Sequence, residues 1–97
     1  MDAVFRIPKE KYAGIRNAVM SNDLLSRQSL TFRDSTALGV KEEGYYLLIE
    51  GPEEAIEEAR KVLEEATELK GGEADEIRKK IKSQEESAAA GFGSIFG

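Results

Sequence analysis

The segment Tyr45-Tyr46-Leu47-Leu48-Ile49, closed by Gly51-Pro52, constrains the fold more than any other stretch of this chain. An aromatic and aliphatic run bounded by turn formers is the length of a strand, and one so uniformly apolar must be covered. It is therefore expected to be the central or best-covered strand of a sheet. Pro52-Glu53-Glu54 follows at once. Proline in a first helical turn loses no hydrogen bond, and two carboxylates there oppose the positive end of the helix dipole. Ala55, Ile56, Ala59, Val62, Leu63, Ala66 and Leu69 then recur at helical spacing, so the helix is expected to run to Leu69 and stop at Gly71-Gly72.

Upstream, Ala3-Val4-Phe5-Arg6-Ile7 favours a strand that Pro8 ends, because proline cannot donate a ladder hydrogen bond. Tyr12, Ile15 and Val19 place a helix over residues 9 to 20. Leu30-Thr31-Phe32-Arg33-Asp34 alternates apolar and polar residues, the period of a strand with Leu30 and Phe32 facing inward. Ser35 to Val40 is looser, and Lys41-Glu42-Glu43-Gly44 reads as a hairpin turn in which Gly44 takes a positive φ. Past Gly71-Gly72 a thinner stripe of Ala74, Ile77 and Ile81 marks one more helix. The expected fold is α+β, in the order β-α-β-β-α, with a three-stranded, largely antiparallel sheet and its helices on one face. Residues 1 to 70 form the compact domain, 71 to 86 an appended amphipathic helix and 87 to 97 a flexible Gly/Ala/Phe tail.

Composition narrows the chemistry. The 97 residues contain no cysteine and no histidine. Disulfides, thiolate chemistry and the commonest metal ligand are thereby excluded, as is the side chain that titrates near neutrality. Any catalysis would need carboxylates, lysine, tyrosine or hydroxyls in a cleft that perturbs them. No catalytic residue, metal ligand or small-molecule cofactor is expected, and an enzyme is the third reading after two binding roles. No apolar run approaches the roughly 20 residues that span a bilayer, and Met1-Asp2 does not open a signal segment. No membrane association is expected, and the location by default is cytoplasmic. The abundance of Glu, Lys and Arg is thermophile-like. The net charge of −5 lies wholly in residues 52 to 97, the first 51 being balanced.

Several clusters have a chemical and a structural reading. Asp34-Ser35-Thr36 sets a carboxylate beside two hydroxyls, but short polar side chains at a strand end ordinarily bond neighbouring backbone groups. Glu42-Glu43 and Glu53-Glu54 with Glu57-Glu58 lack the alternating spacing of a calcium loop and read as solvated faces. Gly71-Gly72 precedes a helix without a phosphate-loop pattern. The run Arg78-Lys79-Lys80-Lys82 is interleaved with acids that can pair with it. Tyr45 and Tyr46 must point to opposite sheet faces, one into the core and one free to stack on a partner. Phe92, Ile95 and Phe96 sit in a glycine-rich frame suited to docking in an apolar groove, on this domain, a second copy or another protein.

Ile49-Glu50-Gly51-Pro52-Glu53-Glu54-Ala55-Ile56-Glu57-Glu58-Ala59 resembles the last strand and helix of KH domains, and Ile7-Pro8-Lys9-Glu10 resembles their opening strand. The Gly-x-x-Gly loop that clamps the nucleic-acid backbone is missing, so no KH binding residue carries over. The element order and short first helix are also similar to the small dimerising subunit of the KEOPS tRNA-modification complex, without signature residues. Both resemblances imply RNA-associated machinery. The first expectation is a small non-catalytic module for protein assembly, with another copy of itself as one partner, using Phe92, Ile95, Phe96, Tyr45 and Tyr46. The alternative is a degenerate KH-type RNA-binding domain that meets phosphates through Arg6, Lys9, Lys11, Arg16, Arg27 and Arg33.

Overall fold

Strand β1 (Asp2–Ile7) leads through Pro8 and a single 3-10 turn into helix α1 (Tyr12–Ser21). Strand β2 (Ser29–Asp34), the one-turn helix α2 (Ser35–Leu38) and strand β3 (Tyr45–Glu50) follow. Helix α3 (Glu53–Val62), strand β4 (Thr67–Leu69) and helix α4 (Gly71–Phe96) complete the order. The structure is a computed structural model and describes the backbone of residues 1 to 96 and the side chains of residues 1 to 85.

The sheet is antiparallel throughout, in the order β2-β3-β1-β4. Its register sets Phe32 opposite Leu47, Leu47 opposite Phe5 and Phe5 opposite Glu68. Successive side chains alternate between faces. Ala3, Phe5, Ile7, Leu47 and Ile49 therefore face α1 and α3, where they pack on Ile15, Val19, Ile56, Ala59 and Leu63. The other face presents Val4, Tyr46, Leu48 and Leu69, and α4 covers it with Ala74, Ile77 and Ile81 while Leu38 closes one end. The apolar β3 run is central and buried on both sides, as its composition requires.

Two expectations change. The sheet has four strands instead of three, because α3 stops at Val62 rather than Leu69. Leu63 leaves helical geometry at φ −98° and ψ 33°, and a turn from the Ala66 N–H to the Leu63 carbonyl (2.9 Å) redirects the chain. Thr67-Glu68-Leu69 then alternates. Leu69 is buried on the α4 face, while Glu68 reaches back to Arg60 of α3 at 2.8 Å, and no helix could send the two to opposite sides of the sheet. The second change is that helices cover both faces. Gly71, at φ +63°, turns the chain so that α4 crosses the face expected to be open.

Polar links fasten α4 beside its three apolar contacts. Arg78 binds Asp2 (2.9 Å) and Asp75 (2.6 Å), Lys82 binds Glu50 (2.8 Å), and Gln84 accepts from the Arg33 Nε (3.3 Å). These bonds engage Arg78 and Lys82 of the basic run. The helical backbone of α4 continues past residue 86, where the thinning stripe had set its end; alanines 88 to 90 favour that continuation. The side chains of Phe92, Ile95 and Phe96 lie outside the described residues.

Candidate interaction surface

With both faces covered, the sheet keeps its backbone bonding capacity at its margins. Strand β2 is the longer margin, with six residues against three in β4. The Ser35 N–H donates to the Gly44 carbonyl at 3.0 Å, one step beyond the Asp34 and Tyr45 pair. Antiparallel strands alternate in bonding direction, so Arg33, Thr31 and Ser29 turn their backbone groups toward β3. Leu30, Phe32 and Asp34 turn theirs outward. The outward Phe32 carbonyl accepts from Nη1 of the neighbouring Arg33 at 2.9 Å, which caps this edge with a side chain from its own strand.

Beside that edge lies an aromatic cluster. Tyr12 of α1 stacks on Tyr45 of β3 with ring centroids 3.6 Å apart and planes 10° from parallel. It meets Phe32 of β2 edge-on at 6.0 Å, and the Arg16 guanidinium lies 5.8 Å from the centre of the Phe32 ring. Tyr12, Leu30, Phe32 and Tyr45 are half-buried, and Met20, one turn beyond Arg16, is 49% exposed. Helical spacing aligns Tyr12, Arg16 and Met20 on one stripe, and small Ala13 and Gly14 leave a shallow shelf beside it. Large aromatic side chains, half desolvated before any partner arrives, make effective binding anchors, and the exposed Arg16 beside them adds a cationic contact.

The sequence-nominated residues scatter. Tyr45 joins the cluster, but Tyr46 is only 2% exposed beneath α4 and is core. Burial, and then the negative charge of Glu42, push the Tyr46 phenol above its ordinary value. Of the cations proposed for nucleic acid, Arg6 lies on the α4 face against Glu42 and Glu73, and Arg33 on the same face is bound to Gln84. Lys11 pairs with Glu65 at 3.0 Å on the opposite side of the sheet, and Arg27 approaches Asp23 at 4.0 Å. Lys9 is exposed, and Arg16 sits on Phe32. The six cations thus form no single patch.

Asp34 serves as the N-cap of α2, its carboxylate accepting from the Thr36 N–H at 2.7 Å, and Ser35 is buried. Among the described residues, no three His, Cys, Asp or Glu side chains group as metal ligands, and no helix is long and apolar enough to cross a membrane. The sequence places Tyr12 on the apolar stripe of α1 and Phe32 on the inward face of β2, and marks neither for a partner. Their tie to Tyr45 and Arg16 depends on how α1 crosses the β2 margin, which spacing along the chain does not encode. Comparison of the chain with protein-family models, with curated proteins and with solved structures gives no match.

Proposed function

We propose that this chain is a small, non-catalytic interaction module of the cytoplasm that binds a polypeptide by adding a strand to β2. The outward backbone groups of Leu30, Phe32 and Asp34, beside the Tyr12, Phe32, Tyr45 and Arg16 cluster, carry the reading. Strand addition draws affinity from main-chain hydrogen bonds and selectivity from the side chains next to them. Several of the ionisable groups that catalysis would need are engaged in pairs across the fold, such as Arg78 with Asp2 and Arg60 with Glu68. RNA binding has less support, because the six cations are divided between the two faces and three of them, Arg6, Lys11 and Arg27, are paired with carboxylates.

The test exploits the direction of one amide. The Leu30 N–H points away from β3, so Leu30→Pro deletes an outward donor without removing a bond of the native sheet. Leu30→Ala loses the same packing but keeps the donor. Tagged protein recovered from its native cells should keep its partners as Leu30→Ala and lose them as Leu30→Pro. Equal retention by both variants refutes strand addition at β2.

A further inference from the structure

We infer that the occupant of the β2 edge is a second copy of this chain, paired antiparallel about a twofold axis at Thr31, so that two four-stranded sheets become one. This inference rests on strand addition at β2 and names its partner.

The argument is one of register. A twofold axis normal to the sheet pairs residues lying on the same face, and only Leu30, Phe32 and Asp34 offer outward backbone groups. The available arrangements therefore centre on single residues. An axis at Arg33 sets that arginine against its own symmetry mate. An axis at Leu30 leaves only Ser29 to Thr31 in mutual pairing, because the chain before Ser29 turns away at the 3-10 turn Leu25–Arg27, and an axis at Phe32 opposes Leu30 to Asp34. Like charges and apolar-to-charged pairs directly across a strand boundary are unfavourable.

The axis at Thr31 avoids all of these. It sets Leu30 against Phe32 twice, Arg33 against Ser29 and Asp34 beside Gln28, with Thr31 meeting itself. Each Leu30 and Phe32 pair exchanges two backbone hydrogen bonds. The partner's Leu30 N–H takes the Phe32 carbonyl that Arg33 caps in the single chain, and that guanidinium returns to solvent. On the helical face the four Leu30 and Phe32 side chains form one row. It continues the cluster of Tyr12 and Tyr45 across the junction. The partner edge is thus complementary in apolar pattern and bonding direction, and it opposes no like charges. The β4 margin, three residues long, offers less than half the backbone groups to an incoming β2.

The chain has no cysteine, which permits a direct test. Thr31 turns its backbone toward β3, so across the axis it forms a non-hydrogen-bonded pair with Cα atoms about 4.5 Å apart, inside the range of about 4.4 to 6.8 Å that a disulfide bridges. Sedimentation of the unmodified protein over a concentration series is expected to approach twice the monomer mass. Under diamide oxidation, Thr31→Cys should crosslink in high yield and faster than Leu30→Cys or Arg33→Cys, each variant first shown folded by circular dichroism. A monomer mass at every concentration overturns the inference whatever the crosslinks do. A dimer crosslinking fastest through another position overturns this register. If the protein is monomeric while its cellular complexes remain sensitive to Leu30→Pro, strand addition stands and the second copy alone is wrong.

Discussion

Replacing Ile81 by alanine should release α4 while leaving the rest of the domain folded. Ile81 is fully buried against the face formed by Val4, Tyr46, Leu48 and Leu69. The change removes three carbons, about 2.4 kcal/mol at roughly 0.8 kcal/mol each. A cavity adds to that loss, but a helix lying on the surface of a sheet can settle into the gap, which places the total near the low end of the ~2–5 kcal/mol range for such truncations. The loss falls on α4, whose other buried apolar contacts are Ala74 and Ile77. Because α1 and α3 pack on the opposite face, α4 should open below the cost of global unfolding.

At about 1.4 kcal/mol per tenfold, backbone exchange in α4 should accelerate by roughly fifty- to a hundredfold, with β1 and β3 amides much less affected. The phenol of Tyr46 supplies a second reading. Burial raises its pKa, so the contribution of its neutral form is complete below the ordinary phenol value and is lost as pH rises through the higher folded value. Docking of α4 should therefore weaken in alkali. In Ile81→Ala the Tyr46 transition, followed by ultraviolet difference absorbance and identified with Tyr46→Phe, should move down toward an ordinary phenol. Unchanged α4 exchange together with an unchanged titration would refute the view that this helix is held through Ile81.

Three further outcomes follow from the geometry. Gly44 has φ +142° and would bring a Cβ within 2.8 Å of the Ile7 carbonyl oxygen, so Gly44→Ala should cost about 1–3 kcal/mol in urea unfolding. Asn22 accepts from the Leu24 and Leu25 N–H groups at 3.0 and 2.9 Å and donates to Glu58 at 2.9 Å; Asn22→Ala should lose about 1–2 kcal/mol, and Asn22→Asp should fall between the two because it keeps the acceptor but faces Glu58 with a like charge. The hydrogen bond from Arg60 holds the Glu68 carboxyl below its ordinary value, so its stabilisation is present above the unfolded carboxyl value and is lost as pH falls through the lower folded one. Arg60→Gln should flatten that acid limb of the stability curve measured by thermal unfolding, with a small effect at neutral pH because the arginine is exposed.

The sequence made β1, α1, β2, β3 and the start of α3 legible because each element's period is carried by its own residues. Val62, Ala66 and Leu69 misled, since they prolong a helical spacing although the chain has already turned at Leu63. A three-residue strand is too short for its alternation to compete with that stripe. The α4 face was hidden for another reason. The groups that engage Arg6, Arg33, Asp2 and Glu50 on that face include Glu73, Arg78, Lys82 and Gln84, which belong to a helix begun by a left-handed glycine. Of the nominated interaction residues, Tyr45 was placed in the cluster and Tyr46 in the core. Local alternation separated the two without saying which face would be covered.

The unequal length of the two outer strands also limits how far such a sheet can grow. Once the six-residue margin is consumed by its symmetry mate, the outermost strands are the three-residue β4 segments, each of which turns directly into α4 at Gly71. A ribbon needs a fresh, equally long flank for every added subunit, and none is left. If two copies pair at β2, assembly through this sheet therefore stops at the dimer instead of extending as a ribbon.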